Sequence, residues 1–566
     1  MARHDADKDH CGAQQAAGCG RVTGAGLRAE CTNGGEPGLL PPPNAGIREG
    51  FGSVRMIKLS LFVTMAAALA AAAYWIGAGV AASPAAASEA PAGAPLQRAG
   101  QPGAAHGGSH TSDASASQVN IVIFLIDTLR ADRLGVYGYQ RPTSPRIDAL
   151  AGEAVVFEQA YAPAPWTLPT VVSLMTSRFP VEHRTLNDQH VLNDALEPLA
   201  QRLKRLGYTT LGLYANAYAG ADYGLERGFD ALKFSLRNGD RHVAALLDEH
   251  PGRPFFLYVH NTEPHTPHAF APPHTDGFRD VPEQRRLEIQ THYVKYRRQT
   301  RVDFHKGRPR GTTDNTRAQQ RELAALTAMK EDYSELYDAA VRLADTLLGS
   351  VVDLLKERGL WDDTLFIVLS DHGEEMNEHG GWLHDQSVYE ELMHVPLVMH
   401  LPRGQHAGRR VPTVVSLVDV LPTIFDCLGA PQLAQDARGR SLLPLLDGQS
   451  PPDADDFCVP GMRLNRKKYY KPWKESRGDI NIVVRRGPWK GIWNVEPQTL
   501  ELYHLESDPG EQQDVSAANP ELALAMRKFA QLWYEECESR ALKPQRQKKP
   551  LDERTLENLR SLGYID

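Results

Sequence analysis

The stretch Leu365-Phe366-Ile367-Val368-Leu369-Ser370-Asp371-His372-Gly373-Glu374-Glu375-Met376-Asn377-Glu378-His379-Gly380-Gly381-Trp382-Leu383-His384 decides how this chain is read. Its first five residues form an uninterrupted apolar run behind the polar turn Trp361-Asp362-Asp363-Thr364, the pattern of a strand buried on both faces of a parallel sheet. Polar chemistry starts where that strand stops, at the edge of an open α/β sheet where ligands bind. Asp371 and His372 put a hard oxygen donor beside an imidazole there, and Gly373 lets the backbone turn away so that both side chains can face one ion. A single Asp-His pair would suit a plain surface turn; His379 and His384 in the same short loop favour a metal site.

A second apolar, β-branched strand, Ile121 to Ile126, ends in Asp127 as the first ends in Asp371. Two buried strands ending in carboxylates predict one shared site, although Asp127 alone would serve equally as a cap for the turn Thr128-Leu129-Arg130. The segment Ala164-Pro165-Trp166-Thr167-Leu168-Pro169-Thr170-Val171-Val172-Ser173-Leu174-Met175-Thr176 predicts a helix starting near Pro169, with Thr167 at its positive end, where an anion is stabilised and a hydroxyl is more easily deprotonated. Beside a divalent ion such a hydroxyl is a competent nucleophile; without the flanking aspartates it reads as a cap.

The alternation of strand and helix continues. Leu196 to Leu206 reads as a helix, Thr209 to Tyr214 and Phe255 to Val259 as strands, Leu336 to Arg358 as a long amphipathic helix, Val395 to His400 as a strand and Leu417 to Leu428 as a helix. The prolines of His260-Asn261-Thr262-Glu263-Pro264-His265-Thr266-Pro267-His268 hold an extended loop at a strand end; His260 and His268 are taken as structural. Arg279 to Arg321 is polar and basic with no apolar stripe. It is expected as an exposed insertion over the site, a solvated face that would also suit an anionic substrate. Beyond Pro451 come short strands, Ile480 to Arg485, Trp489 to Trp493 and Leu500 to Leu505, and a last helix, Glu521 to Glu538, which together read as a small α+β satellite.

At 566 residues and a net charge of −8, the chain exceeds one core of usual size, and nothing in its balance points to nucleic acid. Its six cysteines lack metal-ligand spacing. Cys11, Cys19 and Cys31 fall in the leader, and a pair among Cys427, Cys458 and Cys537 could oxidise in an exported protein. Residues 1–55 have no periodicity and are expected to be disordered. No charged residue occurs from Leu59 to Ser83, behind Arg55 and Lys58 and before the small-residue run Val80-Ala81-Ala82-Ser83, the pattern of a signal peptide or signal anchor. Met56-Ile57-Lys58 would itself make a good signal-peptide start, which leaves open whether residues 1–55 are translated. An Ala/Pro/Gly/Ser-rich tether fills 84–118.

From about Asn120 to the C-terminus the chain resembles the sulfatase family of the alkaline phosphatase superfamily. The matching motifs are Asp127 followed by Leu129-Arg130-Ala131-Asp132, Trp166-Thr167-Leu168-Pro169 with Ser173-Leu174-Met175-Thr176, Glu263-Pro264-His265-Thr266-Pro267, Ser370-Asp371-His372-Gly373-Glu374 with Glu378-His379-Gly380, Arg438-Gly439-Arg440-Ser441-Leu442-Leu443-Pro444, and Leu502-Tyr503-His504-Leu505-Glu506-Ser507-Asp508-Pro509-Gly510-Glu511, all in the family's order. The resemblance implies a three-layer α/β sandwich around a mostly parallel sheet over 119–450, with a smaller C-terminal α+β domain carrying an antiparallel sheet over 451–566. It implies one divalent metal ion, Mn, Zn or Ca, held by Asp127, Asp371 and His372 with Thr167 beside it in the nucleophile position. His265 and His384 would bind the non-bridging oxygens or protonate the leaving group, and His379 would line the same pocket.

Four positions depart from the family pattern. Thr167 stands where sulfatases carry the Cys or Ser that becomes formylglycine, so the aldehyde-hydrate mechanism is closed to this chain. Val171 stands at the position of the family's arginine, Thr128 at that of its second metal aspartate, and His384 where a lysine is common. An Asp, Thr, Asp, His set is similar to that of phosphoethanolamine transferases and lipoteichoic acid synthases, which normally carry several membrane helices where this chain has at most one. The expected function is therefore a sulfatase-family hydrolase cleaving sulfate or phosphate esters through Thr167. Its rivals are an envelope phospho-group transferase and a non-catalytic binder of anionic glycans. The expected partner is an anionic ester on a glycan or envelope lipid, and the expected location is outside the cytoplasm: periplasmic, secreted or anchored by one N-terminal segment.

Overall fold

The computed structural model describes residues 119–564 apart from 269–274, 301–312, 450–457, 465–479, 548–549 and 563. The leader, signal segment and tether expected in 1–118 lie outside the described residues. Among those described, no helix is long and apolar enough to cross a membrane.

Runs of apolar, often β-branched residues give strands buried along their whole length: Asn120–Ile126, Phe255–Asn261 and Thr364–Leu369 expose no residue, as expected of central strands covered on both faces. They lie side by side in an eight-stranded sheet whose order is Arg410–Ser416, Val155–Tyr161, His394–His400, Thr364–Leu369, Asn120–Ile126, Phe255–Asn261, Thr209–Tyr214, Ala231–Phe234. Only His394–His400 runs against its neighbours. The expected mostly parallel sheet is present, and so is the three-layer arrangement, because the pleat sends alternate side chains to opposite cores. Ile121, Ile123, Leu125, Leu365, Ile367 and Leu369 enter one core with the helices Thr167–Thr176 and Val420–Cys427. Val122, Phe124, Ile126, Phe366 and Val368 enter the other, covered by the 28-residue helix Lys330–Glu357.

Register aligns the strand ends. Leu125 lies opposite both His260 and Leu369, and Ile126 opposite Asn261. The residues that follow, Asp127 and Asp371, therefore emerge together at one edge of the sheet.

The basic insertion departs from expectation. Its described residues form two helices, Glu283–Thr300 and Thr313–Ala328, and the first is anchored: Ile289, Tyr293 and Tyr296 are buried in the second core. Their spacing of four and three residues makes one helical face. Cys427, Cys458 and Cys537 are free thiols, so the pairing considered for them is not formed.

The C-terminal unit carries the expected antiparallel sheet, with Met462–Leu464, Ile480–Arg486, Trp489–Asn494 and Thr499–His504 in sequential order, packed by the helix Pro520–Ser539. A buried ion pair ties it to the main sheet. Lys490 Nζ, fully buried, lies 2.8 Å from Glu390 Oε1 and 2.8 Å from Glu511 Oε1, and Glu511 also accepts from the Glu390 backbone N–H at 2.6 Å. Burial pushes the Glu511 carboxyl up to about 7 even beside this ammonium, so removing the cation strands a buried acid. Lys490→Ala is expected to lower stability by roughly 3–5 kcal/mol and Lys490→Met by less, measured by urea unfolding of the full chain at pH 7; equal, small losses would show that the pair carries no stability.

Candidate active site

The site is built where parallel strands end. Asp127 and Asp371 follow two neighbouring strands and are fully buried. Burial, reinforced by the facing Asp371 charge, pushes the Asp127 carboxyl up to about 8; burial pushes Asp371 up to about 7, against backbone N–H groups that favour its charge. Thr128 N donates to Asp371 Oδ1 at 3.2 Å and His372 N at 2.9 Å. Thr128 makes its bond from the left-handed region, φ 59°, which is costly for a β-branched residue.

His372 faces both aspartates. Its Nδ1 lies 2.9 Å from the Gly373 carbonyl oxygen and must donate there, which leaves the Nε2 lone pair pointing the other way. Around Nε2 stand Thr167 Oγ1 at 3.3 Å, Asp371 Oδ2 at 3.5 Å and Asp127 Oδ1 at 3.6 Å. Asp127 Oδ1, Asp371 Oδ2 and the Thr128 hydroxyl are buried without a hydrogen-bond partner. Two orphaned carboxylate oxygens and a lone-pair nitrogen within ligand distance of one another are what a divalent cation needs. The donors fit the expected ion, with Asp127, Asp371 and His372 as its protein ligands and Thr167 beside it.

Gly373 is required for a reason the sequence did not suggest. Its φ is not positive; instead a Cβ there would collide with the Glu391 carbonyl oxygen. The glycine permits close backbone approach, and its N–H donates to Leu392 O at 2.9 Å.

Thr167 opens the helix Thr167–Thr176, two residues before the expected start, with extended Trp166 as its cap. Asn216, just beyond the strand Thr209–Tyr214, donates to Asp127 Oδ2 at 2.8 Å and approaches Thr167 Oγ1 at 3.5 Å. His260, read from sequence as structural, lies next to the last residue of its strand, 3.8 Å from Asp127 Oδ2, with both ring nitrogens buried and without a hydrogen-bond partner and its pKa pushed down to about 3 by burial.

Beyond Thr167 the rings of His265, His384 and Tyr564 face one another. His265 Nδ1 lies 2.6 Å from the Thr266 carbonyl oxygen, so it donates there and Nε2 is the acceptor, 3.1 Å from the Tyr564 hydroxyl. Burial and then the Arg297 charge hold its pKa well below the usual histidine range, so this ring is neutral. His384 Nδ1 lies 3.4 Å from Glu374 Oε2, and Nε2 lies 3.4 Å from both the Tyr564 hydroxyl and Arg297 Nη2. Burial pushes Glu374 up to about 8.

His379 lies apart from this group. The hairpin formed by Glu375–Met376 and Trp382–Leu383 turns the chain between the two histidines, so His384 returns to the site while His379 stacks on Tyr389. Its Nδ1 meets Glu391 Oε1 at 2.7 Å and its Nε2 lies 3.2 Å from Glu511 O. In place of the expected lining position, His379 pairs with Glu391 and reaches a backbone carbonyl of the C-terminal unit. Asn216, Arg297 and Tyr564 are the site residues that sequence reasoning missed. For Arg297 a signal existed, the helical spacing of Ile289, Tyr293 and Tyr296 just before it; Tyr564 stands beyond the helix Glu553–Ser561 and no motif marks it. A separate cleft lined by Tyr161, His394, Asp419, Arg485 and Trp533 includes none of the residues that gather around Thr167.

Comparison with known proteins agrees with this architecture. Arylsulfatase K of Xenopus laevis is 26% identical over 432 residues, 68% of this chain and 76% of that protein. The match to arylsulfatase K of Canis lupus familiaris, 33% identical over 198 residues, spans about a third of that protein (35%) and 34% of this chain. The crystal structure of a phosphonate monoester hydrolase of Agrobacterium radiobacter shares the fold at TM-score 0.55 and 21% identity, over 75% of this chain and 96% of that one. So does a protein solved with its substrate D-glucosamine-2-N,6-O-disulfate, at TM-score 0.58 and 19% identity, over 74% and 98%. The C-terminal domain of N-sulphoglucosamine sulphohydrolase matches residues 377–535. The sulfatase family itself matches residues 119–430, more than half of the chain: this protein belongs to the sulfatase family.

Proposed function

We propose that the chain is a metal-dependent sulfuric ester hydrolase of the sulfatase family in which the Thr167 hydroxyl attacks a tetrahedral sulfur or phosphorus centre. The observation that carries this is the convergence of Thr167 Oγ1, Asp127 Oδ1 and Asp371 Oδ2 on the lone-pair nitrogen of His372. A divalent ion held by the two aspartates and the imidazole would supply Lewis-acid stabilisation of the ester oxygen and favour ionisation of the adjacent hydroxyl. The three donors suit Mn, Zn or Ca, each of which accepts carboxylate oxygen.

The remaining steps belong to side chains. Thr167 stands at a helix N-terminus, whose positive end favours the anion that binds and the charge that develops. The acceptor nitrogen of His265, 3.1 Å from the Tyr564 hydroxyl, is the base to which the proton of the attacking hydroxyl would pass. As the Oγ bond to sulfur or phosphorus forms, the bond to the departing alcohol oxygen breaks. That oxygen takes a proton from His384, resupplied by Glu374, which keeps its own proton at neutral pH. Water then cleaves the Thr ester. A Thr phosphate ester is the more readily hydrolysed of the two, which favours phosphate diesters; the arylsulfatase relatives favour sulfate. The neighbour solved with a sulfated glucosamine makes a sulfated glycan the natural first substrate class, met by an exported protein if residues 59–83 direct export.

Activity should depend on Thr167. Hydrolysis of an aryl sulfate, a phosphate monoester and a phosphate diester by the metal-loaded protein is expected to fall roughly a thousandfold or more in Thr167→Ala, with partial retention in Thr167→Ser. Full turnover by the alanine variant would mean that water attacks directly. Products formed only when an alcohol acceptor is present would establish a transferase instead.

Metal binding has its own signature. Because the folded-state pKa of Asp127 is raised, its carboxyl opposes folding of the metal-free chain increasingly as pH climbs from about 4 to about 8. Asp127→Asn is therefore expected to stabilise the chelator-treated protein at pH 7, on the order of 2 kcal/mol, with the gain vanishing near pH 4. The same variant should lose the rise in Tm that added Mn, Zn or Ca gives the wild type. A metal-induced Tm shift of equal size in both proteins would refute this ligand assignment.

A further inference from the structure

We propose that Arg297, carried by the insertion helix Glu283–Thr300, is the anion-binding residue of this site, its guanidinium taking a non-bridging oxygen of the tetrahedral group presented to Thr167. This rests on the ester-cleaving reading above and names the group that recognises the ester's charge. Arg297 is only 5% exposed. Its guanidinium carbon lies 4.0 Å from the Tyr564 ring centroid and its Nη2 lies 3.4 Å from His384 Nε2, while Nη1 donates to the Tyr293 hydroxyl at 3.2 Å. Stacking on one ring and bonding to another fix the plane of the fork before any ligand arrives, and a preorganised fork is what recognises a phosphate or sulfate group.

Among the described residues that gather around Thr167, there is no lysine and no second arginine. His260 and His265 are held neutral by burial. Asp127, Asp371 and Glu374 are acids. The helix that presents Thr167 is uncharged along its length, with Val171 buried and apolar one turn on. Arg297 acts electrostatically on Asp127, His265, His372 and Glu374, which places its charge within reach of the whole constellation. A purely structural arginine would need only to pack the insertion on Tyr564, and its stem alone could do that.

The test is anion binding, which does not require turnover. Inorganic sulfate and inorganic phosphate are titrated calorimetrically into the full, metal-loaded protein, into Arg297→Gln, and into Arg297→Met, which keeps an apolar stem against Tyr564. Both variants are expected to bind these anions about 10- to 100-fold more weakly, with metal affinity unchanged and KM for ester substrates raised by the same factor. Arg297→Lys should fall between them and the wild type. Anion affinity within twofold of wild type in either folded variant would overturn the assignment, as would loss of metal affinity in parallel with anion affinity. A wild type that binds sulfate through Arg297 yet cleaves no ester would refute the hydrolase reading and leave this one standing.

Discussion

Two carboxylates held side by side at the ends of adjacent parallel strands, both fully buried, are the constraint on which the site depends. The sheet cannot relieve it, because register places Asp127 and Asp371 at one edge once Leu125 is opposite Leu369. Each carboxyl is pushed up by several pH units, so an empty site either holds protons or stores repulsion. The surrounding residues answer that charge. His372 turns its lone pair toward both acids by donating its other N–H to Gly373 O, Thr128 accepts a strained backbone to offer its N–H, and Asn216 reaches across from a third strand end. The two N–H donors favour ionised carboxylates, the form a cation requires, and the imidazole offers a third donor atom beside them.

What the sequence made legible was the part written in contiguous residues. Strands buried on both faces announce themselves as apolar runs, and polar residues follow at their ends, so the juxtaposition of Asp127, Asp371 and His372 could be read without knowing the topology. Thr167 could be read from the proline two residues on. The groups that were missed reach the site through tertiary packing. Asn216 follows a strand whose place in the sheet the sequence does not specify, and Tyr564 arrives from the far end of the chain. Arg297 lies in a segment whose composition is polar and basic; Tyr293 and Tyr296 bury their rings there although they carry hydroxyls.

The pair His379 and His384 shows a different limit. Five residues apart, they seem interchangeable as ligands for one pocket, yet a two-residue strand pairing, Glu375 with Leu383 and Met376 with Trp382, folds the segment between them back on itself. Glu375 Oε1 accepts from Gly381 N–H at 2.8 Å, and three nearby non-glycine residues, Asn377, Leu383 and Asp385, adopt positive φ. Side-chain direction there is set by turn geometry rather than by periodicity, and neither helical nor strand spacing anticipates it.

Charge balance links the substituted positions to the substrate. With Thr128 uncharged, the cation pocket offers two carboxylates, and a divalent ion cancels them. Glu374, His260 and His265 are neutral at pH 7 by burial, and the guanidinium of Arg297 acts on Asp127, His372 and Glu374. A buried guanidinium favours an anionic ligand over a neutral one, a sulfate monoester and a phosphate diester alike. On the proposed mechanism the choice between them would pass to the breakdown of a Thr167 ester, where sulfur and phosphorus differ.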